Sequence, residues 1–221
     1  MRFIPYVNKV YEQLKEGSPE RSDFNKTVRQ FFEKAFEEGR LALASAGPDL
    51  DEQRQPIDTI VIHHTSGQPG YSLSFMNMTH LLNIYATYYF DPRDERDKSL
   101  RGQPIWSNHS RDGRPNFLSY HWLMRMDGIF ERLLDDNQIG WQAGDWGTNT
   151  RSIGICLDND YESQDPSDEI LRRLAAHIKS HYPDAKKVIG HCEVRPGTIC
   201  PGGNFIGGWK AKLLEYLTDD S

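Results

Sequence analysis

The chain of 221 residues is short of cysteine, of long apolar runs and of positive charge, and each shortage excludes something. Three cysteines are too few, and odd in number, for a disulfide framework, so at least one thiol is left for packing or chemistry. A chain of this length buries enough surface to do without covalent staples. No stretch approaches the roughly eighteen consecutive apolar residues of a membrane-crossing helix. Lys and Arg total 26 against 32 Asp and Glu, a net charge of −6, which denies the chain the basic footprint that nucleic-acid binding requires. The opening residues, Met1 to Tyr11, contain no apolar core of the kind a secretory signal needs, so the chain is expected to be cytoplasmic as synthesised. What remains is an ordinary globular composition, 26% charged and 37% hydrophobic.

The residue pattern divides the chain in two. Ile4, Val7, Tyr11 and Leu14 keep helical spacing, and after Gly17-Ser18-Pro19 a second helix, capped by Ser22, carries Phe24, Val28, Phe31, Phe32, Ala35 and Phe36. Neither apolar face can be buried alone, so these helices must pack on the main domain or on a protein partner. Residues 44–56 read as a linker. The expected division is a helical extension, 1–50, and a main domain, 51–221.

In the main domain, Thr59-Ile60-Val61-Ile62 is a β-branched run that ends in His63-His64, as a buried strand would. A helix is expected over 72–90 and a long loop over 91–118. A hairpin is expected about Asp127-Gly128, between 120–126 and 129–134. Further strands are expected at 153–157 and 188–190. A helix opens at Asp165-Pro166, and a last one covers Trp209 to Leu217. The fold class is α/β, a mixed central β-sheet flanked by helices.

His63 and His191 each stand where a buried strand ends, the part of an open α/β sheet where ligands collect. Cys200 follows in Thr198-Ile199-Cys200-Pro201-Gly202. Two imidazoles and a thiolate suit zinc, and three protein ligands leave a fourth position for water. The same residues equally suit hydrogen-bonded core histidines and a small buried thiol, and spacing does not separate the two readings.

The neighbours of these residues do. Ile62-His63-His64-Thr65, Tyr120-His121, Gly140-Trp141-Gln142-Ala143-Gly144, Ser152-Ile153-Gly154-Ile155 and the stretch from Gly190-His191 to Cys200-Pro201-Gly202 occur in one order. That order resembles the zinc-dependent N-acetylmuramoyl-L-alanine amidases of type 2, a family that includes phage endolysins and the peptidoglycan recognition proteins. The resemblance runs over residues 57–217. It implies the fold of that family, zinc held by His63, His191 and Cys200, and catalytic assistance by Tyr120 and Thr198. Phage enzymes typically carry lysine at the latter position, whereas catalytic recognition proteins can carry threonine. The cytoplasmic recycling amidases place a glutamate at the position of Cys156 and an aspartate at that of Cys200, so this chain sides with the endolysin and recognition-protein branch.

The implied partner is peptidoglycan or a muropeptide, cut at the amide between the muramic acid lactyl group and L-alanine. A cytoplasmic chain would meet it as soluble muropeptides, or as cell wall after release, lysis or delivery. The alternative from another class is a module that binds muropeptides without cutting them. His121, Gln142 and Asn149 are expected at the substrate: His121 as a support for Tyr120 or as groove wall, Gln142, standing where many members have histidine, as an altered substrate contact, and Asn149 as a lining of the peptide groove. His64 should face away from His63 by strand alternation. Arg111 and Arg114 read as solvated loop charge.

Overall fold

Alternation along two strands builds the centre of the molecule. β1 (Thr59–His64) is buried along its whole length and lies between β6 (Ser152–Leu157) and β7 (Lys187–Gly190), parallel to both. β4 (Trp122–Met124) adds to β6 in parallel, and β5 (Phe130–Arg132) folds back antiparallel on β4. The five-stranded order is β5-β4-β6-β1-β7, the expected mixed sheet. A computed structural model of the chain describes residues 10, 13–15, 18–41, 43–85 and 104–219. The helix expected from Ile4 to Leu14 falls mostly outside them, as do Tyr89, Phe90 and the stretch 91–103.

Residues 49–71 and 118–221 form one compact unit, and 1–48 with 72–117 the other. In the first, Ile60, Ile62, Ile153, Ile155 and Leu157 project from one sheet face. They meet Ile170, Leu171, Leu174 and Ile178 of α4 (Asp168–His181) and Leu213 of α5 (Lys210–Thr218) in a single core. Helix α4 starts later than Asp165-Pro166 would put it, because Ser167 caps it and its Oγ accepts from Ile170 N–H. Phe205–Trp209 makes one wide π-turn into α5 and packs Phe205 and Trp209 into the same core. The hairpin at Asp127-Gly128 forms as expected, with Gly128 at φ +82°.

In the second unit, α1 (Pro19–Glu37) begins at Ser18-Pro19 and not at Ser22. Ser18 Oγ accepts from Arg21 N–H at 3.2 Å, and proline suits a first helical turn whose N–H groups have no intrahelical partner. Val28 and Phe32 of α1 share a core with Met78 and Leu81 of α2 (Leu73–Tyr85) and with Ile105 and Phe117. Val28, Phe32 and Ala35 of the α1 apolar face are thus buried within their own unit, while Phe31 stays exposed. The expected long loop holds a second hairpin, β2 (His109–Arg111) with β3 (Arg114–Asn116), turned at Asp112-Gly113 with both residues at positive φ. This is the signal read correctly fifteen residues later, missed here for want of apolar flanks. Among the described residues no helix is long and apolar enough to cross a membrane.

Candidate metal centre

The face of the sheet opposite α4 carries the site. Thr59, Val61 and His63 of β1 stand in register with Ser152, Gly154 and Cys156 of β6. His63 is 1% exposed, near the carboxyl end of its strand. His191 follows the last residue of β7 and opens a one-turn helix, His191–Glu193. That turn is fixed by Glu193, whose Oε2 accepts from Gly190 N–H at 2.8 Å and whose Oε1 takes Lys210 Nζ at 2.6 Å. Cys200 is returned to the same place by two bonds. Its carbonyl accepts from Cys192 N–H at 2.7 Å, and its own N–H donates to Thr198 Oγ1 at 3.2 Å.

The sequence-predicted trio therefore converges, with one ligand atom from each of His63, His191 and Cys200 within 4.8 Å of the others. Cys200 Sγ lies 3.7 Å from His63 Nδ1. Tetrahedral zinc, with N at about 2.0–2.1 Å and S at about 2.3 Å, sets such an edge at about 3.6 Å. His191 Nε2 is buried without a hydrogen-bond partner, an arrangement that proteins rarely leave unless something else fills it. The other nitrogen of that ring, Nδ1, is left to make the ring's hydrogen bond to the Ala143 backbone. Burial, then Arg195, lowers the His191 pKa, which keeps the imidazole neutral as a metal ligand must be. Burial pushes the Cys200 thiol up to about 12, with the His64 backbone N–H pulling the other way. A thiolate at this place therefore requires a cation beside it. The donor set fits zinc.

Tyr120 stands against His63, ring centroids 4.8 Å apart, and burial followed by Cys156 and Cys200 raises its hydroxyl well above the ordinary range, so it is a proton-bearing donor. Thr198 is half-buried, and its oxygen accepts the Cys200 amide, so it orients the ligand loop while its own proton remains available. His64 lies on the other face as alternation requires, and its Nδ1 accepts from Tyr161 N–H at 3.1 Å. Burial lowers its pKa, and Asp160 at 4.0 Å does not make it an ion pair. Cys156 shares the site face but is fully buried. Burial, then Cys200, holds its thiol well above its usual value, hence neutral. Cys192 packs toward the helix-side core.

The three residues expected at the substrate, His121, Gln142 and Asn149, are all buried. His121 is 0% exposed and both its ring nitrogens are committed, Nδ1 accepting from Gly154 N–H and Nε2 donating to the Gln138 carbonyl, each at 3.0 Å. Burial, then the Arg54 charge, drives its pKa down to about 3. Gln142 is buried between His63 Nε2 and Ser152 Oγ. Asn149 is buried in α3 (Trp146–Arg151), a short helix that Asp145 caps and that the sequence did not announce. Its Oδ1 accepts from the N–H groups of both Gln142 and Ala143, at 3.2 and 2.8 Å. Arg111 and Arg114 are exposed and stand opposite each other in the β2–β3 hairpin.

Sequence reasoning passed over Ser152, Gly154 and Arg195. Gly154 had a signal, since a small residue amid Ile153, Ile155 and Leu157 marks a close approach. A Cβ there would lie 2.9 Å from Gln142 Cγ. Arg195 is exposed, lies along Gly144 and lends positive charge to the His191 side of the cluster.

The fold is thus a mixed sheet with a candidate three-donor metal site, His63 and His191 at the ends of parallel strands and Cys200 on a following loop. Residues 53–203 match the family model for N-acetylmuramoyl-L-alanine amidase, and the chain belongs to that family. Similar solved structures include the N-acetylmuramoyl-L-alanine amidase LysC from Clostridium intestinale URNW, with 22% identity, 76% of this chain and 91% of that chain covered, and a TM-score of 0.48. The Ph2119 endolysin from Thermus scotoductus MAT2119 bacteriophage Ph2119 shows 22% identity, coverage of 75% and 87%, and a TM-score of 0.48. Drosophila PGRP-LB shows 20% identity, coverage of 81% and 92%, and a TM-score of 0.48. No curated protein sequence matches the chain.

Proposed function

We propose that the protein is a zinc-dependent N-acetylmuramoyl-L-alanine amidase, hydrolysing the amide between the lactyl group of muramic acid and the L-alanine of a peptidoglycan stem peptide. The convergence of His63, His191 and Cys200 within 4.8 Å, in a chain of this family, carries the reading. What zinc supplies when bound is Lewis acidity and a water acidic enough to attack near neutral pH. The chain's own groups do the rest. The neutral His191 ring and the loop-held Cys200 offer the donors, and Tyr120, which keeps its proton, donates to the oxygen on which charge develops. Thr198 adds a second, neutral donor where phage enzymes place a cation, so charge stabilisation there rests on a dipole alone. A thiolate as third ligand, with Cys156 in place of a glutamate base, sides with the endolysin and recognition-protein branch of the family.

A net charge of −6 gives little long-range attraction toward an acidic polymer, so binding rests on contacts in the groove. The test is incubation with purified peptidoglycan, with and without a zinc chelator, and mass spectrometry of the soluble products. Chelator-sensitive release of stem peptides with a free L-alanine amino terminus is the expected result. Muropeptides bound but left uncut by the zinc-loaded protein would overturn it in favour of a binding module.

A further inference from the structure

The short segment Gly140–Gly144 touches neither the sheet core nor solvent with its central side chain. Gln142 is 6% exposed and runs across β6 through the gap that Gly154 leaves. Its Nε2 donates to Ser152 Oγ at 2.9 Å, and its Oε1 meets His63 Nε2. With the amide turned this way Oε1 is purely an acceptor, so the single proton of a neutral His63 ring sits on Nε2 and the lone pair on Nδ1. Nδ1 is the atom that points at Cys200 Sγ, 3.7 Å away. The opposite orientation of the amide would place the proton on Nδ1 and close that nitrogen to a metal.

The backbone that presents Gln142 is itself clamped. Asn149 Oδ1 accepts from the N–H groups of residues 142 and 143 together. Arg54 holds the end of the helix that carries Asn149, donating from Nη1 to the carbonyls of Asn149, Thr150 and Ser152 at 3.1, 3.3 and 3.0 Å. The next residue along, Ala143, turns its backbone toward the ring of His191. One clamped turn thus stands behind both histidines.

We infer that Gln142, oriented by Ser152 and carried on a turn pinned by Asn149, is a positioning residue that fixes the Nδ1-open tautomer of His63 and thereby sets the metal affinity of the site. This deepens the proposed zinc amidase and rests on it. Groups behind metal ligands typically govern affinity by about 10–100-fold.

Two measurements on the full chain test it. In the metal-free protein, nitrogen-15 shifts of the His63 ring should show Nε2 protonated and Nδ1 bare; the reverse assignment overturns the proposal without any substitution. Zinc titration against a competing chromophoric chelator should show Gln142→Met weaker than the parent by about 10–100-fold. Gln142→Glu, which keeps the acceptor and lets the Ser152 hydroxyl turn to donate, should stay within a few fold. Zinc affinity in Gln142→Met within twofold of a parent that does bind zinc overturns this proposal alone. A parent that binds no zinc overturns the zinc reading of the site as well.

Discussion

The two faces of β1 and β6 are built from the same strands and obey opposite rules. On the α4 side every inward residue from Ile60 to Leu157 is aliphatic save His64, and His64 meets a backbone amide. On the other side Thr59, His63, Ser152 and Cys156 are joined by a gap at Gly154, which an amide side chain crosses. The first face derives its stability from area removed from water and specifies only size and shape. The second buries polar groups, each of which needs a partner in a given direction. Tolerance to change should therefore differ between them in kind: substitutions on one face should shift stability, those on the other should shift chemistry.

The largest effect expected is at Cys200. Cys200→Ser replaces a soft ligand by a neutral hydroxyl, and the zinc content measured by atomic emission should fall to background, with amidase turnover down at least about a thousandfold. The melting temperature measured without metal should hardly move, and a large drop there would erase the contrast between the faces. On the helix side, Ile155→Ala opens a cavity at a fully buried position and should lower unfolding free energy by about 2–5 kcal/mol in urea titrations, with zinc stoichiometry unchanged.

His64 sharpens the contrast because it neighbours a metal donor in sequence. His64→Ala leaves Tyr161 N–H without its acceptor, for a loss of about 1–3 kcal/mol, yet should retain zinc. Loss of zinc in this variant would show that the faces are not independent. The smallest effect is a slope with pH. His121 and His177 are held down to about 3 and about 4, in both cases chiefly by burial, so the unfolded chain takes up protons that the folded one refuses. Stability should be full above the unfolded value of about 6.5 and fall as pH drops below it, by up to about 1.4 kcal/mol per pH unit for each ring. Unfolding free energies measured from pH 7.5 to pH 5 check this, and a flat profile would count against it.

Where a residue's environment follows from its own strand, the sequence was legible. β1, β6 and β7 were readable as apolar β-branched runs, and the opposite facing of His63 and His64 followed from a period of two. The hairpin at Asp127-Gly128 was legible for the same local reason, whereas that at Asp112-Gly113 was hidden among charged residues. The α3 helix, six residues long, was too short to show any periodicity.

The sequence by itself determined the family, the sheet and the trio of His63, His191 and Cys200 that the fold gathers, because each depends on residue type and on spacing along one strand or one motif. Only the tertiary structure decided that His121, Gln142 and Asn149 are buried and which groups their polar atoms meet. It also decided that α1 is buried against α2 and that Gly154 exists to let Gln142 past. These are questions of which polar atoms meet across the chain, as those of His63 and Gln142 do over a separation of 79 residues. The direction of a hydrogen bond, unlike the hydrophobicity of a strand, has no period to read.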